Sequence, residues 1–220
     1  MQRIPEPEIM DNPERAQAYA DADFCEVNEA FVERLLELAG DLASARVLDL
    51  GTGPGEMPLR IAAQRPGWRI VGLDASMPML RLGQDARRGV STVPAVRFVL
   101  ADAKRTPFAD DTFDLIFSNS ILHHVDDPFS FWKEAARVAK PGALLFLRDL
   151  RRPESSEAAR DLVETYAANE HPLLKEDFYN SLLASYSVDE IRNQLSETSF
   201  VSLEVAPVAD RHVDVSGTIC

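Results

Sequence analysis

The chain has 220 residues, of which 45% are hydrophobic, and it carries a formal net charge of −13. This length and apolar content suffice for one hydrophobic core, so we expect a single α/β domain rather than several. So acidic a chain repels the phosphate backbone of nucleic acids, and its arginine pairs at 87–88 and 151–152 are too small to reverse that effect. We therefore expect no nucleic-acid partner.

The sequence lacks the features of an exported or membrane-spanning protein. No run of 18 apolar residues occurs, and the first 15 residues contain no apolar segment of the signal type. The two cysteines, Cys25 and Cys220, are 220 − 25 = 195 residues apart and do not have the spacing of metal ligands. We expect a cytoplasmic protein with free thiols, no membrane span and no metal site.

The first 45 residues predict two helices that cover the rest of the domain. Asn12 followed by Pro13 is typical of a helix cap and first helical residue, and predicts a short helix through Tyr19. Apolar residues at helical spacing between 27 and 38 precede Gly40 and predict a second, amphipathic helix.

Residues 47–55 read VLDLGTGPG, a short apolar run followed by glycines at alternate positions, Gly51, Gly53 and Gly55. Residues 57–64 then have a helical pattern. Glycine tolerates positive φ and lets the backbone come close to a bound molecule, while a helix N-terminus presents unpaired N–H groups. The pattern therefore predicts a ligand site in the turn between a buried strand and a helix.

A second strand, predicted at 68–73, ends in Asp74, which lies 74 − 51 = 23 residues after Gly51. An acid at this distance is placed to hold the hydroxyls of a ribose. Asp74 could instead cap the following helix, but Ser76 is available for that role. The two features together predict a nucleoside-containing cofactor across the first two strands.

The details of the turn decide between cofactors. Its spacing is G-x-G-x-G followed by Glu56, whereas nicotinamide enzymes usually show G-x-G-x-x-G. Acids at Glu56 and Asp49 fit poorly beside a pyrophosphate and suit a ligand that carries an ammonium and a sulfonium. No tyrosine is followed four residues later by a lysine. A nicotinamide-dependent oxidoreductase is therefore a disfavoured alternative.

Strands and helices alternate through the centre of the chain and change character after residue 150. The strands are predicted at 46–50, 68–73, 96–100, 113–118 and 143–147, with helices at 57–64, 76–88 and 129–139. This alternation predicts right-handed βαβ crossovers and a parallel sheet. Residues 154–168, 175–185 and 187–195 have helical patterns and predict an inserted helical cap. Ser187 and Glu190 have the spacing of a capping box at the start of the third of these helices. Alternating runs at 200–206 and 211–218 predict an antiparallel hairpin.

Four segments together resemble the class I S-adenosylmethionine-dependent methyltransferase family, near its small-molecule branch typified by quinone methyltransferases. They are VLDLGTGPG, VGLDAS, FVLADAKRTPFADDTFDLIFSNSILHHVDDP and AARVAKPGALLFLRDL. The resemblance covers roughly 49–150. It implies a Rossmann-like, doubly wound sheet of seven strands, mostly parallel with a terminal antiparallel hairpin. We expect one domain over 1–220, divided into cover helices (1–45), cofactor core (46–150), helical cap (151–198) and hairpin (199–220).

The resemblance also implies an activity. S-adenosylmethionine would be the cofactor, S-adenosylhomocysteine its product, and a small molecule the methyl acceptor, with acceleration mainly from proximity and orientation. The alternative is a regulatory protein that binds S-adenosylmethionine without catalysis, because a fold does not establish a function. The acceptor, the attacking atom and the oligomeric state do not follow from the sequence.

The cofactor-binding residues come from the cover helix, the glycine turn and the ends of the next three strands. Family resemblance places the Asp102 carboxylate against the adenine amino group and the Ala103 N–H against the ring. Asp49 either holds the methionine amino group through water or braces the glycine turn. The full set is Tyr19, Asp49, Gly51, Thr52, Gly53, Gly55, Asp74, Ala75, Ser76, Met77, Asp102, Ala103 and Asn119.

Two histidines, His123 and His124, are the candidate catalytic residues. They follow the fourth strand, at the carboxyl edge where open α/β sheets bind ligands, and histidine is the usual general base near neutral pH. The LHH pattern is widespread in the family across unrelated substrates, which favours a structural or pocket-lining role. Further side chains expected to cover this rim are Tyr19, Asp149, His171, Tyr179 and Tyr186.

Overall fold

The computed structural model describes residues 1–7, 9–89, 96–198, 200 and 202–219. The predicted thiol of Cys220 lies outside these residues. The strands are β1 (Ala45–Leu50), β2 (Trp68–Asp74), β3 (Val96–Leu100), β4 (Phe113–Asn119), β5 (Ala139–Leu150), β6 (Glu204–Val208) and β7 (His212–Thr218). The helices are α1 (Pro13–Ala20), α2 (Cys25–Ala39), α3 (Glu56–Gln64), α4 (Met77–Arg88), α5 (Pro128–Val138), α6 (Ser156–Tyr166), α7 (Pro172–Ala184) and α8 (Val188–Ser196), with a short 3-10 helix at Leu122–His124.

The strands of the described residues form one sheet of seven, in the order β3-β2-β1-β4-β5-β7-β6. The first five strands are parallel, whereas β7 runs antiparallel between β5 and β6. This is the predicted Rossmann-like, doubly wound sheet with a terminal antiparallel hairpin, and the prediction is confirmed. The strand order reverses between β1 and β4, so the loops after these two strands flank the crevice where such sheets bind ligands.

Apolar clusters cover both faces of the sheet, which explains why the strands have few polar residues. Successive side chains of a strand point to opposite faces. In β1, Val47 packs in the cluster that contains Phe31 of α2, whereas Leu48 and Leu50 pack in the cluster that contains Trp132 of α5. The sheet is therefore fixed from both sides, and the carboxyl ends of its strands are held in place.

The largest differences from the predicted strand boundaries are at the starts of β5 and β6. Strand β5 begins at Ala139 rather than 143, and its pairing with β4 shifts register between Phe113 and Leu115. Strand β6 begins at Glu204 rather than 200. Phe200 is buried and its ring lies edge-on to Trp132, with 6.1 Å between centroids. Its apolar character therefore reflects a core contact that precedes the strand.

The three helices after β5 divide between two locations. Helices α6 and α7 form a separate apolar cluster with Leu150, through residues that include Val163 and Leu182. Helix α8 packs into the main core through Ile191 and Leu195, and the predicted capping box at its start is present. Helix α1 contacts both α4 and α7, so the cover at the carboxyl edge consists of α1, α6 and α7.

No helix within the described ranges has both the length and the apolar character that crossing a membrane requires.

A buried ion pair joins β5 to β7 and supports the first prediction. Arg148 and Asp214 are paired in register and share two hydrogen bonds of 2.7 and 2.8 Å, with both side chains about a tenth exposed. Asp214→Ala should lower the free energy of unfolding by about 3–5 kcal/mol, because it leaves a buried guanidinium without its partner. Urea denaturation measures this loss.

The matched control is Asp85→Ala, which removes an ion pair with Arg88 in which both side chains are about 70% exposed. That change should cost less than about 1 kcal/mol. Equal losses in the two variants would contradict the structural role given to the β5–β7 pair.

Candidate functional site

The glycine turn after β1 is fastened to the end of β2. The N–H groups of Gly51 and Thr52 both donate to the carbonyl oxygen of Leu73, at 2.8 and 2.9 Å. Gly51, Gly53 and Gly55 have φ values of 76°, 53° and 78°, a region that side chains disfavour. All three residues therefore adopt the positive φ for which glycine was predicted at these positions.

The three glycines have different surroundings. A Cβ on Gly51 would lie 2.5 Å from Ile121, and a Cβ on Gly55 would lie 2.4 Å from the ring of Phe98. A Cβ on Gly53 would meet no described atom within 4 Å. Gly51 and Gly55 thus allow close packing inside the protein, whereas Gly53 is the position where a ligand can approach the backbone.

Asp74 is held by backbone donors on both sides. Its Oδ2 accepts from Gly53 N and its Oδ1 from Ser76 N, each at 2.8 Å. Ser76, not Asp74, caps α4, since its hydroxyl accepts from Met79 N. Burial raises the pKa of Asp74, against the effect of its N–H donors. Each carboxylate oxygen has a second lone pair, so the fixed carboxylate can still accept two hydroxyl groups.

Two polar groups beneath the turn are buried without partners. Asp49 is 1% exposed, and neither its Oδ2 nor the hydroxyl of Thr52 has a hydrogen-bond partner among the described residues. Burial raises the pKa of Asp49 to about 8, with the nearby Thr52 side chain acting against this shift and the Asp74 carboxylate acting in the same direction. Such groups are costly in the free protein. A ligand with a cationic hydrogen-bond donor would satisfy them, which is the fit expected for the ammonium of S-adenosylmethionine.

Tyr19 of α1 lies near the carboxylates that surround this turn. Burial raises its pKa to about 12, and the carboxylates of Glu56, Asp74 and Asp149 act in the same direction. Its ring packs on Phe24, with 4.9 Å between centroids. A surface groove of about 400 Å³ lies along α1 beside His171, and no residue of the glycine turn lines it.

The remaining predicted cofactor residues are less closely grouped. Ala101 N donates to the Asp74 carbonyl oxygen, so the loop after β3 lies beside β2. Ala103 is buried, but Asp102 is exposed and its carboxylate accepts from Lys104 N at 2.8 Å. Asn119 is half-buried at the end of β4. Ala75 is half-buried beside Asp74, whereas Met77, the first residue of α4, is 40% exposed.

His123 is fixed by Asp149 at the end of β5. Its Nδ1 lies 2.5 Å from Asp149 Oδ1, and Asp149 also accepts from the backbone N–H groups of Leu122, His123 and Leu150. Burial disfavours the charged ring, but Asp149 and Glu6 together raise the pKa of His123. The buried carboxylate therefore sets the orientation of the imidazole.

His124 and the N-terminal segment, residues 1–7, complete this cluster. Burial lowers the pKa of His124 to about 3, and His123 contributes, so the ring is neutral. Glu6 Oε1 lies 3.6 Å from His123 Nε2 and 3.4 Å from His124 Nδ1. Arg3 donates to the carbonyl oxygens of His123 and Ala184. The two histidines thus lie beneath the N-terminal segment.

Sequence reasoning missed three residues that shape this edge. Arg3 and Glu6 precede the histidines by more than 115 residues, and no spacing rule connects them. Ile121 packs against Gly51, and its position immediately before the LHH pattern gave no signal of this contact.

A family model described as "Methyltransferase domain" matches residues 48–147. The chain is 36% identical to a demethylmenaquinone methyltransferase of Roseiflexus sp. (strain RS-1) over 116 residues. These residues cover 53% of this chain and 47% of the relative. Over 134 residues the chain is 32% identical to 27-O-demethylrifamycin SV methyltransferase of Amycolatopsis mediterranei (strain S699), 60% and 49% of the two chains. The chain thus spans about half the length of these curated relatives.

The fold is also found among solved structures. A SAM-dependent methyltransferase from Aquifex aeolicus superposes with a TM-score of 0.68, covering 95% of this chain and 99% of that chain at 22% identity. At this identity the match establishes the architecture, and it extends over the N-terminal helices, the cap and the hairpin as well as the core.

The buried carboxyl of Asp49 generates the second prediction. Its pKa rises from 3.8 to about 8 on folding, so the native state holds a proton that the unfolded state releases. The stability linked to that proton is complete below about pH 4 and is lost as the pH rises towards 8, by at most about 1.4 kcal/mol per pH unit. Asp49→Asn should therefore stabilise the free protein increasingly over this range.

Urea denaturation of both proteins at several values from pH 4 to 9 measures the difference. Because all other groups titrate in both proteins, subtraction isolates Asp49. A difference that stays constant with pH would show that Asp49 is ionised in the native state throughout.

Proposed function

We propose that this chain belongs to the class I S-adenosylmethionine-dependent methyltransferase family and transfers a methyl group from S-adenosylmethionine to a small-molecule acceptor. The match of residues 48–147 to a methyltransferase domain, the relatives and the shared fold support this proposal. One observation carries the proposal. The turn combines an open approach at Gly53 with the fixed Asp74 carboxylate and the unpaired Asp49 oxygen. These are the groups that a ribose and an ammonium require.

Six of the thirteen predicted cofactor residues receive a specific role in this proposal. Asp74 accepts the two ribose hydroxyls, and Gly53 allows the ligand to approach the backbone. Asp49 faces the ammonium, directly or through water, and the Thr52 hydroxyl takes part in the same network. Asp102 and Ala103 serve the adenine; for this, Asp102 must exchange its contact with Lys104 for the ligand. The remaining members are Tyr19, Gly51, Gly55, Ala75, Ser76, Met77 and Asn119.

S-adenosylmethionine, when bound, supplies a methyl group already activated on a sulfonium. The work left to the chain is to hold the acceptor in line with that methyl and to exclude water. Helices α1, α6 and α7 lie where a cover is needed, and α1 contacts both α4 and α7. Acceleration by proximity and orientation therefore needs no covalent step on the protein.

The acceptor proposed is small, at least partly apolar and enclosed on binding. The acidic chain disfavours nucleic acid, and two relatives are named for a quinone precursor and a rifamycin. His123 and His124, the predicted catalytic residues, follow β4 at the same edge and are proposed to lie on the acceptor side. A cytoplasmic location belongs to this proposal as well.

A labelled-methyl assay tests the activity. The purified chain is incubated with S-adenosylmethionine that carries a labelled methyl group and with a panel of quinols, phenols, amines and thiols. Transfer to an acceptor is expected. Binding of the cofactor without transfer across a broad panel would favour the non-catalytic alternative.

The third prediction concerns cofactor affinity. Calorimetry should show binding of S-adenosylmethionine and S-adenosylhomocysteine but not of NAD, because the turn fits one nucleoside rather than a dinucleotide. Asp74→Ala should weaken binding by about 1–3 kcal/mol, since the ribose hydroxyls lose their acceptor. Asp85→Ala, which alters an exposed carboxylate of α4, is the control and should leave affinity unchanged. Equal affinity of the Asp74 variant and the unaltered protein would refute the ribose assignment.

The fourth prediction concerns the cover. If α1, α6 and α7 order around ligands, hydrogen exchange in these helices should slow when S-adenosylhomocysteine and an acceptor are added, while β1 and β4 stay protected throughout. Tyr179→Ala should then alter acceptor turnover more than cofactor affinity, because Tyr179 lies in the α6–α7 cluster. Tyr166→Ala, on the exposed end of α6, is the matched control. Identical exchange with and without ligands would mean that the helices are a rigid extension of the core.

A further inference from the structure

Three potential ligand atoms converge beneath the N-terminal segment, outside the set assigned to the cofactor. Glu6 Oε1, one ring nitrogen of His123 and one of His124 all lie within 4.8 Å of one another. We propose that Glu6, His123 and His124 bind a divalent transition-metal ion of the zinc class. Two imidazoles and one carboxylate are a recurrent ligand set for such ions.

The distances fit a shared ion better than direct hydrogen bonds. Glu6 Oε1 lies 3.6 Å from His123 Nε2 and 3.4 Å from His124 Nδ1, longer than the usual 2.7–3.2 Å of an N–H···O bond. Ligand atoms about 2.0–2.1 Å from a tetrahedral zinc ion are about 3.3–3.4 Å apart. The two distances from Glu6 therefore already lie within a few tenths of an ångström of that geometry, and the two ring nitrogens are at most 4.8 Å apart.

The second layer of contacts already orients the ligands. Asp149 holds His123 Nδ1, so the proton of the neutral ring resides on Nδ1 and Nε2 keeps its lone pair for an ion. A carboxylate behind a ligating histidine is the arrangement found at many zinc sites. Ser181 Oγ donates to Glu6 Oε1 at 2.9 Å and fixes the third ligand. His124 gives up only its 3.3 Å contact with the Pro7 carbonyl oxygen.

The local charge favours a cation. The carboxylates of Glu6 and Asp149 are 12% and 1% exposed, with His123 between them. Asp177 adds a third negative charge near Glu6. Of the nearby guanidinium groups, Arg3 pairs with Asp126, and Arg15 pairs with Asp177 and Glu176. A divalent ion would offset the repulsion between the two buried carboxylates.

The site would leave a fourth coordination position for water or for an oxygen, nitrogen or sulfur of a small molecule. Sequence spacing gave no sign of this metal site, because Glu6 lies 123 − 6 = 117 residues before His123. The proposal replaces the expectation of no metal site. Binding of the ion requires neither the cofactor nor an acceptor. Failure of the proposed methyl transfer and failure of this inference are therefore distinguishable.

The test uses the full chain, without a histidine tag and freed of metal by a chelator. Calorimetric titration with Zn²⁺ should give one ion per chain, and titration with Co²⁺ should give the visible absorption of a tetrahedral complex. Glu6→Gln and His124→Asn should each weaken Zn²⁺ binding by at least about ten-fold. Asp149→Asn should weaken it by about 10–100-fold, since the carboxylate behind the ligand is lost.

The matched control is His171→Asn. His171 is exposed at the N-cap of α7, a position that asparagine also suits, and the change removes one histidine elsewhere. Its Zn²⁺ affinity should equal that of the unaltered chain. Absence of stoichiometric binding, or equal affinity in the Glu6 and His124 variants and in the control, would overturn the proposal. Circular dichroism establishes whether each variant is folded. If one of the two ligand variants does not fold, the affinity of the other for Zn²⁺ decides the test.

Discussion

The hydrogen bonds that fasten the glycine turn to the end of β2 are the constraint on which the rest of the site depends. Gly51 N and Thr52 N share one acceptor, the Leu73 carbonyl oxygen, and Gly53 N donates to the Asp74 side chain. The path of the turn is therefore determined by the neighbouring strand and not by the turn alone. Because β1 and β2 are parallel and paired over six residues, the turn, Asp74 and the start of α4 have one fixed relation.

Buried polar groups with and without hydrogen-bond partners lie in different parts of the fold. Arg148 and Asp214 form a complete bidentate pair between β5 and β7, and such a pair needs no ligand. Asp49 and Thr52 are equally buried, but Asp49 Oδ2 and Thr52 Oγ1 have no partners among the described residues. Of the four buried side-chain atoms without partners among the described residues, these two lie at the carboxyl end of β1, where strand order reverses and a ligand can supply the missing hydrogen bonds. The other two are the Nε atoms of Arg65 and Arg151.

The sequence was sufficient to predict those structural features that depend on contacts between residues close together in the chain. The positive φ values of the turn, Ser76 as the cap of α4, and the capping box of α8 are encoded within a few residues and were predicted. It was insufficient where partners are distant. Phe200 has the pattern of a strand residue, but Trp132 draws it into the core. Likewise, nothing near His123 indicates that Glu6 will lie against it, because only the folded path of the N-terminal segment brings them together.

The N-terminal residues connect the histidine cluster after β4 with the start of α4 beside the glycine turn. Ile4 N donates to the Leu183 carbonyl oxygen of α7, and Glu6 lies against the histidines that follow β4. Four residues further on, the Met10 carbonyl oxygen accepts from Ser76 Oγ at the cap of α4, beside Asp74. Helix α1 follows, and its Tyr19 lies near the carboxylates of Glu56 and Asp74. The N-terminal residues therefore contact the histidine cluster, the cap of α4 and helix α7. Since an interior this closely packed transmits displacements, moving the segment at one of these places must alter its contacts at the others.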